Sequence, residues 1–309
     1  VIVDSHAYCF EPADSPRGYA SGTAHLAWVQ KAQARHHQPA FRLADGAPGP
    51  SHVVDPDNAG LDALPDVNFR IDREAGRVLW DHDGETFTKH FYPPNLRNLE
   101  FTPASLIGEA DYAGVDVLLL HTNPMLGRSH DYQAKCVRAC PERILSMAHV
   151  DEWRIHTEVD AVIAEVTRSI AELGLHAIKF NSNGYTVSPE AWDEGPYRPF
   201  WDAVTKLGVP IFFTLCLGPE RPREAAPDKT GRESYLGELA ILMRWMERYP
   251  NTLASITHGF PWRVYMEGEG FDLPEAIWKP FTNPNLSLEV CFPVRIGDHF
   301  EYPYRQVWP

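Results

Sequence analysis

Three times along the chain a helical stretch runs into a glycine and then into a short apolar strand, a fourth time it passes through a proline, and few folds accommodate such a repeat. Thr102-Pro103 supplies an N-cap and first helical position, Leu106, Ile107, Ala110 and Ala113 recur at helical spacing, and Gly114 ends the helix before Val115–Leu120. Thr157 with Asp160 resembles a capping box for a second helix, whose stripe is Val159, Ile163, Val166, Ile170 and Leu173. Gly174 closes it before Ala177–Phe180. Pro196 opens a third, ended by Gly208 before Val209–Phe213, and a fourth over Tyr235–Tyr249 leads to Leu253–Thr257. Strands alternating with amphipathic helices imply a parallel sheet.

Adding Val1–Asp4, Ile144–Ala148 and Leu286–Val290 gives seven strand candidates, and 309 residues permit a closed α/β barrel, a distorted (β/α)8 TIM barrel. An open seven-stranded sheet would expose a long apolar edge. The eighth strand is therefore expected beyond Pro309, because Tyr304–Pro309 reads as the opening of another helix. On this reading residues 1–309 form one barrel domain, and residues 10–101 are an insertion after the first strand. Within it Leu26–His36 suits a short helix. Asn68–Ile71, Arg77–Trp80 and Glu85–Thr88 suit an antiparallel meander, turned at Asp72–Gly76 and Asp83-Gly84. The Pro- and Gly-rich stretch Ala47–Asp66 reads as a mobile tether. A lid, a dimer arm and a structural embellishment are the readings open to the insertion.

Composition narrows the function classes. No run of eighteen uncharged apolar residues exists, which excludes a membrane helix, and the first residues lack the pattern of a signal peptide. With 28 Lys and Arg against 42 Asp and Glu, the net charge is −14, and no basic stripe offsets it, so nucleic-acid and anionic-lipid partners are not expected. Five cysteines without zinc-knuckle spacing fit a reducing, cytoplasmic setting; Cys136 and Cys140, one helical turn apart, suit two core thiols. The expected partner is a small-molecule substrate, with the chain itself assembling as a homodimer or higher homo-oligomer.

Catalytic groups in such barrels sit at or just after strand C-terminal ends. Those positions hold Asp4, His6 and Tyr8; His121 and Asn123; His149; Lys179 and Asn181; Thr214 and Cys216; His258; and Glu289. Imidazole is both a common metal ligand and a base suited to neutral pH. His6, His121 and His258 are read as functional, with backbone hydrogen bonding as the plainer role, and His149 as structural. Lys179 inside an apolar strand must be paired, neutral or modified, and either binds a substrate carboxylate or makes an interior ion pair. Tyr8 either donates a hydrogen bond or lines the mouth of the barrel. Cys216 reads as an inert thiol, Arg221 and Arg223 as carboxylate-recognising, and His36-His37 as a lid contribution or a solvated loop.

Several stretches together resemble a known family, the amidohydrolase-related group that includes aminocarboxymuconate-semialdehyde decarboxylase. Val3-Asp4-Ser5-His6-Ala7-Tyr8 is similar to the family's first-strand Asp-x-His-x-His motif. Cys140-Pro141-Glu142-Arg143-Ile144 with His149-Val150-Asp151, and Glu172–Lys179, resemble its middle segments. Leu207–Phe212 and Ile256-Thr257-His258-Gly259 are similar to its fifth- and sixth-strand segments. The resemblance implies a distorted (β/α)8 barrel and relatives that are hydrolases, lactonases or non-oxidative decarboxylases of ring-derived carboxylates. It also implies metal ligands at two first-strand histidines, a strand-five histidine and a strand-eight aspartate. Here those positions hold His6, Tyr8 and Thr214, and the last would fall beyond Pro309.

The resulting expectation is a hydrolase acting on a small cyclic or aromatic carboxylated substrate. His258, His6 and Tyr8 are its catalytic residues, and His121, Asn123, Lys179, Thr214 and Arg221 bind substrate. A divalent metal such as zinc enters only if a weakened site survives around His6 and His258. A decarboxylase of the same family, and a catalytically decayed small-molecule-binding barrel, are the alternatives.

Overall fold

The computed structural model describes residues 1–35, 39–49, 53, 60–89, 96–182, 190–215, 231–259, 265–267, 270–271 and 273–289. The chain divides into two compact units, Val1–Ser146 and Met147–Pro309.

The first unit opens with β1 (Val3–Ala7) and then departs into the insertion. Helix α1 (Gly22–Arg35) is followed by β2 (Ala40–Arg42), β3 (Pro48–Gly49), β4 (Arg70–Asp72), β5 (Arg77–His82) and β6 (Glu85–Lys89). These strands form an antiparallel sheet in the order β3-β2-β6-β5-β4. The expected meander is β4-β5-β6, and its second bend is Asp83-Gly84 with both residues at positive φ, as a type I′ turn requires. Its buried face carries Val78, Trp80 and Phe87, packed with Val29 of α1. The stretch expected to be a tether is partly built into this domain: Pro48–Gly49 pairs with β2, and the Gln30 side chain donates to the carbonyls of Val53 and Pro65. Periodicity could not show that, because one side chain supplies the anchoring. His36 and His37 lie outside the described residues.

Helix α2 (Pro103–Ala113) starts and stops where the local signals place it. Thr102 Oγ1 accepts from Ser105 N at 3.2 Å, and Gly114 ends the helix at φ 70°, a conformation that costs glycine no Cβ clash. The unit continues with β7 (Val117–Leu120), α3 (His130–Ala139) and β8 (Ile144–His149), within which the boundary between the units falls. Strand β7 lies parallel between β1 and β8.

The second unit takes up the remainder of β8 and adds α4 (Glu152–Ala171), β9 (Ala177–Asn181), α5 (Tyr197–Val204), β10 (Ile211–Thr214), α6 (Gly231–Arg248) and β11 (Ala254–Ile256). A two-stranded antiparallel ribbon, β12 (Met266–Glu267) with β13 (Gly270–Phe271), precedes α7 (Glu275–Trp278) and β14 (Leu286–Leu288). Strands β8, β9, β10, β11 and β14 pair in that order, all parallel. Counting β1 and β7, seven parallel strands alternate with helices among the described residues, which is the expected α/β fold class of the TIM-barrel kind. The core of this unit is aromatic: Phe180, Trp192, Phe200, Trp201, Phe213 and Trp245 are buried together, with Trp201 and Trp245 edge-on at 5.3 Å. Asp193, also buried, accepts a bidentate pair from Arg244 of α6 at 2.8 and 3.0 Å. None of the described helices is long and apolar enough to cross a membrane.

Two expected boundaries move. Strand β1 covers Val3–Ala7 rather than Val1–Asp4, because its ladder with β7 continues until His121 N donates to Ala7 O at 2.8 Å, while Val1 and Ile2 stay exposed. Helix α4 begins at Glu152, five residues ahead of Thr157, and the capping signal read there coincides with a kink: Glu158 sits at φ −137°. Ser/Thr-x-x-acid patterns mark a break in helical geometry, and here the break is internal.

In the first unit, the insertion is fastened to the segment after β7 by buried polar side chains. Arg17, 2% exposed, donates to the carbonyls of Pro12 (3.1 Å), Leu99 (2.5 Å), Met125 (3.4 Å) and Leu126 (3.3 Å). His25 is fully buried, with Nδ1 2.8 Å from Ala13 O and Nε2 2.7 Å from Met125 O. Arg17→Met keeps the stem but strands four acceptors, so it should lower the unfolding free energy by about 2–4 kcal/mol in urea denaturation. Burial pulls the His25 pKa below 6.5 despite its carbonyl bonds, and Arg17 adds to the fall. The unfolded chain therefore binds this proton at higher pH than the folded one. Stability should decline as pH drops from 6.5 through the lowered folded value, and His25→Gln should flatten that slope in pH-dependent thermal melts.

Candidate functional site

At the end of β1 the ladder slips. Asp4 pairs with Leu118 and Ala7 with Leu120, so three steps on β1 match two on β7. The extra residue is a bulge, a device that re-aims side chains next to functional sites. Ala7 and Cys9 turn into the apolar cluster with Leu118 and Leu120, and the residues between and beside them, His6 and Tyr8, are brought to His121. The His6 and His121 rings stack at 3.8 Å between centroids, and His6 Nε2 lies 2.9 Å from Tyr8 Oη. His121 Nε2 lies 2.8 Å from the Ser5 carbonyl. A carbonyl only accepts, so Nε2 carries the proton and Nδ1 holds the lone pair.

The second unit sorts its side chains by strand register. Neighbours in a parallel ladder point to the same face. Ile178, Ile211, Ala254 and Leu286 form one row, and all belong to the apolar core beneath the helices. The next row is His149, Lys179, Phe212 and Ser255, on the opposite face. Two residues further along come Asn181, paired with Thr214, and then Thr257 and Glu289. One face of this sheet is thus apolar, while the other ends in hydroxyls, an amide, a buried ammonium and a buried carboxylate.

His258 follows directly. It holds φ 66°, uncommon for a residue with a Cβ, and Gly259 follows at 72°. Three contacts secure the turn. His258 N donates to Glu289 Oε2 at 3.2 Å, Glu289 N donates to Ile256 O at 2.9 Å, and Thr257 Oγ1 donates to Phe213 O at 3.2 Å. Thr214 Oγ1 is 2.7 Å from Thr257 Oγ1, and His258 Nδ1 is 3.3 Å from the same oxygen. The Thr257 hydroxyl thus joins Thr214, Phe213 O and the His258 ring in one cluster at the strand ends.

The expected residues therefore fall into two groups: His6, Tyr8 and His121 in the first unit, and Lys179, Thr214 and His258 in the second. Asn123 has a local task. Its Oδ1 accepts from Met125 N at 2.9 Å and its backbone bridges Gly127, closing the turn after β7. His149 Nε2 faces Asp151 Oδ1 at 3.5 Å, consistent with a structural role. Arg221, Arg223 and Cys216 lie outside the described residues. Two contributors escaped the sequence reading. Thr257 was visible only as part of a motif. Glu152, buried, accepts from Asn181 N at 2.6 Å and Asn181 Nδ2 at 3.3 Å, fixing the end of β9; its signal was its place directly after a strand end.

The donor set suits a divalent cation in part. His6 and His121 each offer a ring nitrogen, and those atoms lie within 4.8 Å of one another. The carbonyl bond that fixes the His121 tautomer is the usual support for a metal-binding imidazole. In the second unit Glu289, buried, offers a carboxylate just after β14.

No protein-family model matches this chain, and no curated protein does. Solved structures do. A 2,6-dihydroxybenzoate decarboxylase from Rhizobium is 17% identical, with 60% of this chain and 68% of that one covered and a TM-score of 0.43. A dihydroxybenzoic acid decarboxylase from Polaromonas sp. JS666, with bound manganese and the inhibitor 2-nitroresorcinol, is 18% identical over 59% of this chain and 65% of that one, TM-score 0.41. A probable 2-pyrone-4,6-dicarboxylic acid hydrolase from Acinetobacter baumannii, with citric acid bound, is 17% identical over 55% and 51%, TM-score 0.35. The neighbours are thus decarboxylases and a hydrolase, as the motif resemblance implied, and this chain spans about half to two thirds of their lengths.

The His258 turn leaves no room at its second residue. A Cβ on Gly259 would lie 3.1 Å from Glu289 O in addition to the positive φ. Gly259→Ala should destabilise the protein by about 1–2 kcal/mol in chemical denaturation, whereas Gly108→Ala, in helix α2 with open space around it, should be neutral or stabilising.

Proposed function

We propose that this protein is a hydrolase of small cyclic or aromatic carboxylates, such as a lactone or pyrone bearing a carboxyl group. The observation that carries the reading is the polar end of the second unit's sheet, where a buried lysine, paired threonine hydroxyls and a histidine at positive φ sit on strand ends. Lys179 binds the substrate carboxylate. The residue is 2% exposed and lies on the sheet face that ends in Asn181 and Thr214. His258 acts as general base through Nε2, taking a proton from water as that water attacks the ring carbonyl, while Nδ1 stays bound to Thr257. Glu289 and the left-handed turn hold the imidazole in place before substrate arrives. His6 and Tyr8 are assigned the polarising role, with the Tyr8 hydroxyl as donor to developing oxyanion charge and His6 Nε2 as its partner. A divalent cation held by His6 and His121 would supply Lewis acidity.

That imidazole pair favours a second reading, a non-oxidative decarboxylase, since two ligand nitrogens within 4.8 Å suit a divalent metal. The two readings part on product. Against a panel of carboxylated lactones and hydroxybenzoates, ring opening measured by loss of ultraviolet absorbance supports hydrolysis, and release of carbon dioxide supports decarboxylation. His258→Ala should lower kcat/KM at least about 100-fold in either case. Unchanged turnover in that variant would remove His258 from the mechanism. Elemental analysis of His121→Ala checks the cation: it should lose metal that the unaltered protein carries. Binding of these acids without turnover of any of them would instead identify a decayed, ligand-binding barrel.

A further inference from the structure

The turn between β4 and β5 is pressed against residues 96–98, which follow the insertion's sheet. Gly76 sits in that turn at φ 63°, and a Cβ there would collide with the Leu96 carbonyl oxygen. Asn98 N donates to Arg73 O at 2.8 Å, and Asn98 O accepts from Ala13 N at 3.2 Å. Two successive left-handed residues, Asn98 at φ 60° and Leu99 at φ 47°, bend the backbone back at this point. Between turn and segment lies a cavity of about 280 Å³ whose described lining is Arg73, Glu74, Arg97 and Asn98. None of these residues belongs to the candidate site at the strand ends. The volume is at the small end for a ligand pocket, which suits a compact metabolite.

The charges that line this cavity do not pair across it. Arg73 gives Nε and Nη2 to Asp14 at 2.8 and 2.7 Å, which leaves Nη1 without an acceptor among the described residues. The exposed Arg97 guanidinium has no acceptor among them, and the exposed Glu74 carboxylate has no donor. Glu74 and two guanidiniums thus border one space without forming an ion pair. Glu100 stands alongside, accepting from Asn98 Nδ2 at 2.9 Å. With Asp14 and Glu100 counted, carboxylates outnumber guanidiniums, so a plain anion gains no net attraction here. A molecule carrying both signs satisfies both walls. We infer that the cavity binds a free α-amino acid. Its carboxylate takes the N–H fork of Arg97 and the spare Nη1 of Arg73, and its ammonium takes Glu74. Recognition through the two groups on the α-carbon leaves the ligand's side chain unspecified.

The test is calorimetric titration of the full chain with L-alanine, L-serine, L-glutamine and L-phenylalanine in turn. At least one should bind saturably, one molecule per chain. The amide of that amino acid, which lacks the carboxylate, and its deaminated acid, which lacks the ammonium, should each bind about five-fold more weakly or worse. Arg97→Gln and Glu74→Gln should each weaken binding by a similar factor. Both side chains are exposed, so thermal melts of the two variants should match the unaltered protein. Binding by none of the four, equal binding of the deaminated acid, or undiminished affinity in either variant would each overturn the proposal.

Discussion

The register of parallel strands in the second unit is the constraint on which its chemistry depends. Ile178, Ile211, Ala254 and Leu286 stand side by side because each must be buried under the helices, and that row fixes every other position on β9, β10, β11 and β14. A strand has period two, so a slip of one residue would bury Lys179 and Thr214 among tryptophans and leave Ile178 and Phe213 on the polar face. The cost of that exchange, several buried apolar side chains and an uncompensated ammonium, far exceeds any single contact in the site. Packing on one face thereby positions chemistry on the other.

Much of this could be read from sequence, for a physical reason. Helix stops at Gly114, Gly174 and Gly208 are enforced by local backbone energetics and are found at φ 70°, 73° and 71°. Strands such as Ala177–Asn181 are short, apolar and bounded by those stops, so their ends, and with them Lys179 and Thr214, could be placed within a residue. What stayed hidden depends on contacts distant in sequence. The bulge in β1 exists only relative to β7, so apolar pattern alone ended that strand at Asp4 and placed His6 after it rather than within it. The stacking of His6 on His121 follows from the bulge as well, and neither motif shows it. Thr257 and Glu152 act through hydrogen bonds whose partners, Thr214 and Asn181, are 43 and 29 residues away. Residue type could suggest those bonds but not locate them.

The insertion illustrates how a long excursion can still serve a site near its root. Its antiparallel sheet is a self-contained unit of pairing, and its buried polar groups reach outward to the segment after β7 within the same unit. Arg17 and His25 both contact the Met125 carbonyl, Tyr19 Oη donates to Pro124 O at 2.8 Å, and Arg128 N donates to Arg17 O at 2.7 Å. A buried guanidinium satisfied by backbone carbonyls is costly to displace, because every acceptor it leaves must find another donor out of water. These bonds converge on residues 124–128, in and beside the turn that Asn123 closes, which begins two residues after His121 with Asn123 itself. The insertion thus holds the turn that Asn123 closes.

That arrangement bears on why His6 and Tyr8 keep their geometry although they lie on a bulged strand end. A bulge removes ladder hydrogen bonds at the residue it re-aims, so something else must hold the backbone. Asp4 Oδ1 accepts from His6 N at 2.9 Å on one side, and Ala7 O accepts from His121 N on the other. Beyond them Phe10 pairs with Phe101 through two backbone bonds of 2.9 Å, closing the insertion at its neck. The segment Ala7–Phe10 is therefore fastened at both ends, with Ala7 and Cys9 facing the apolar cluster and Tyr8 turned to His6. Any change that loosens the neck of the insertion acts on Tyr8 without touching it. In this sense the 92 residues from 10 to 101 are part of the site's foundation, and the alternation of buried and polar side chains across four residues transmits their stability to it.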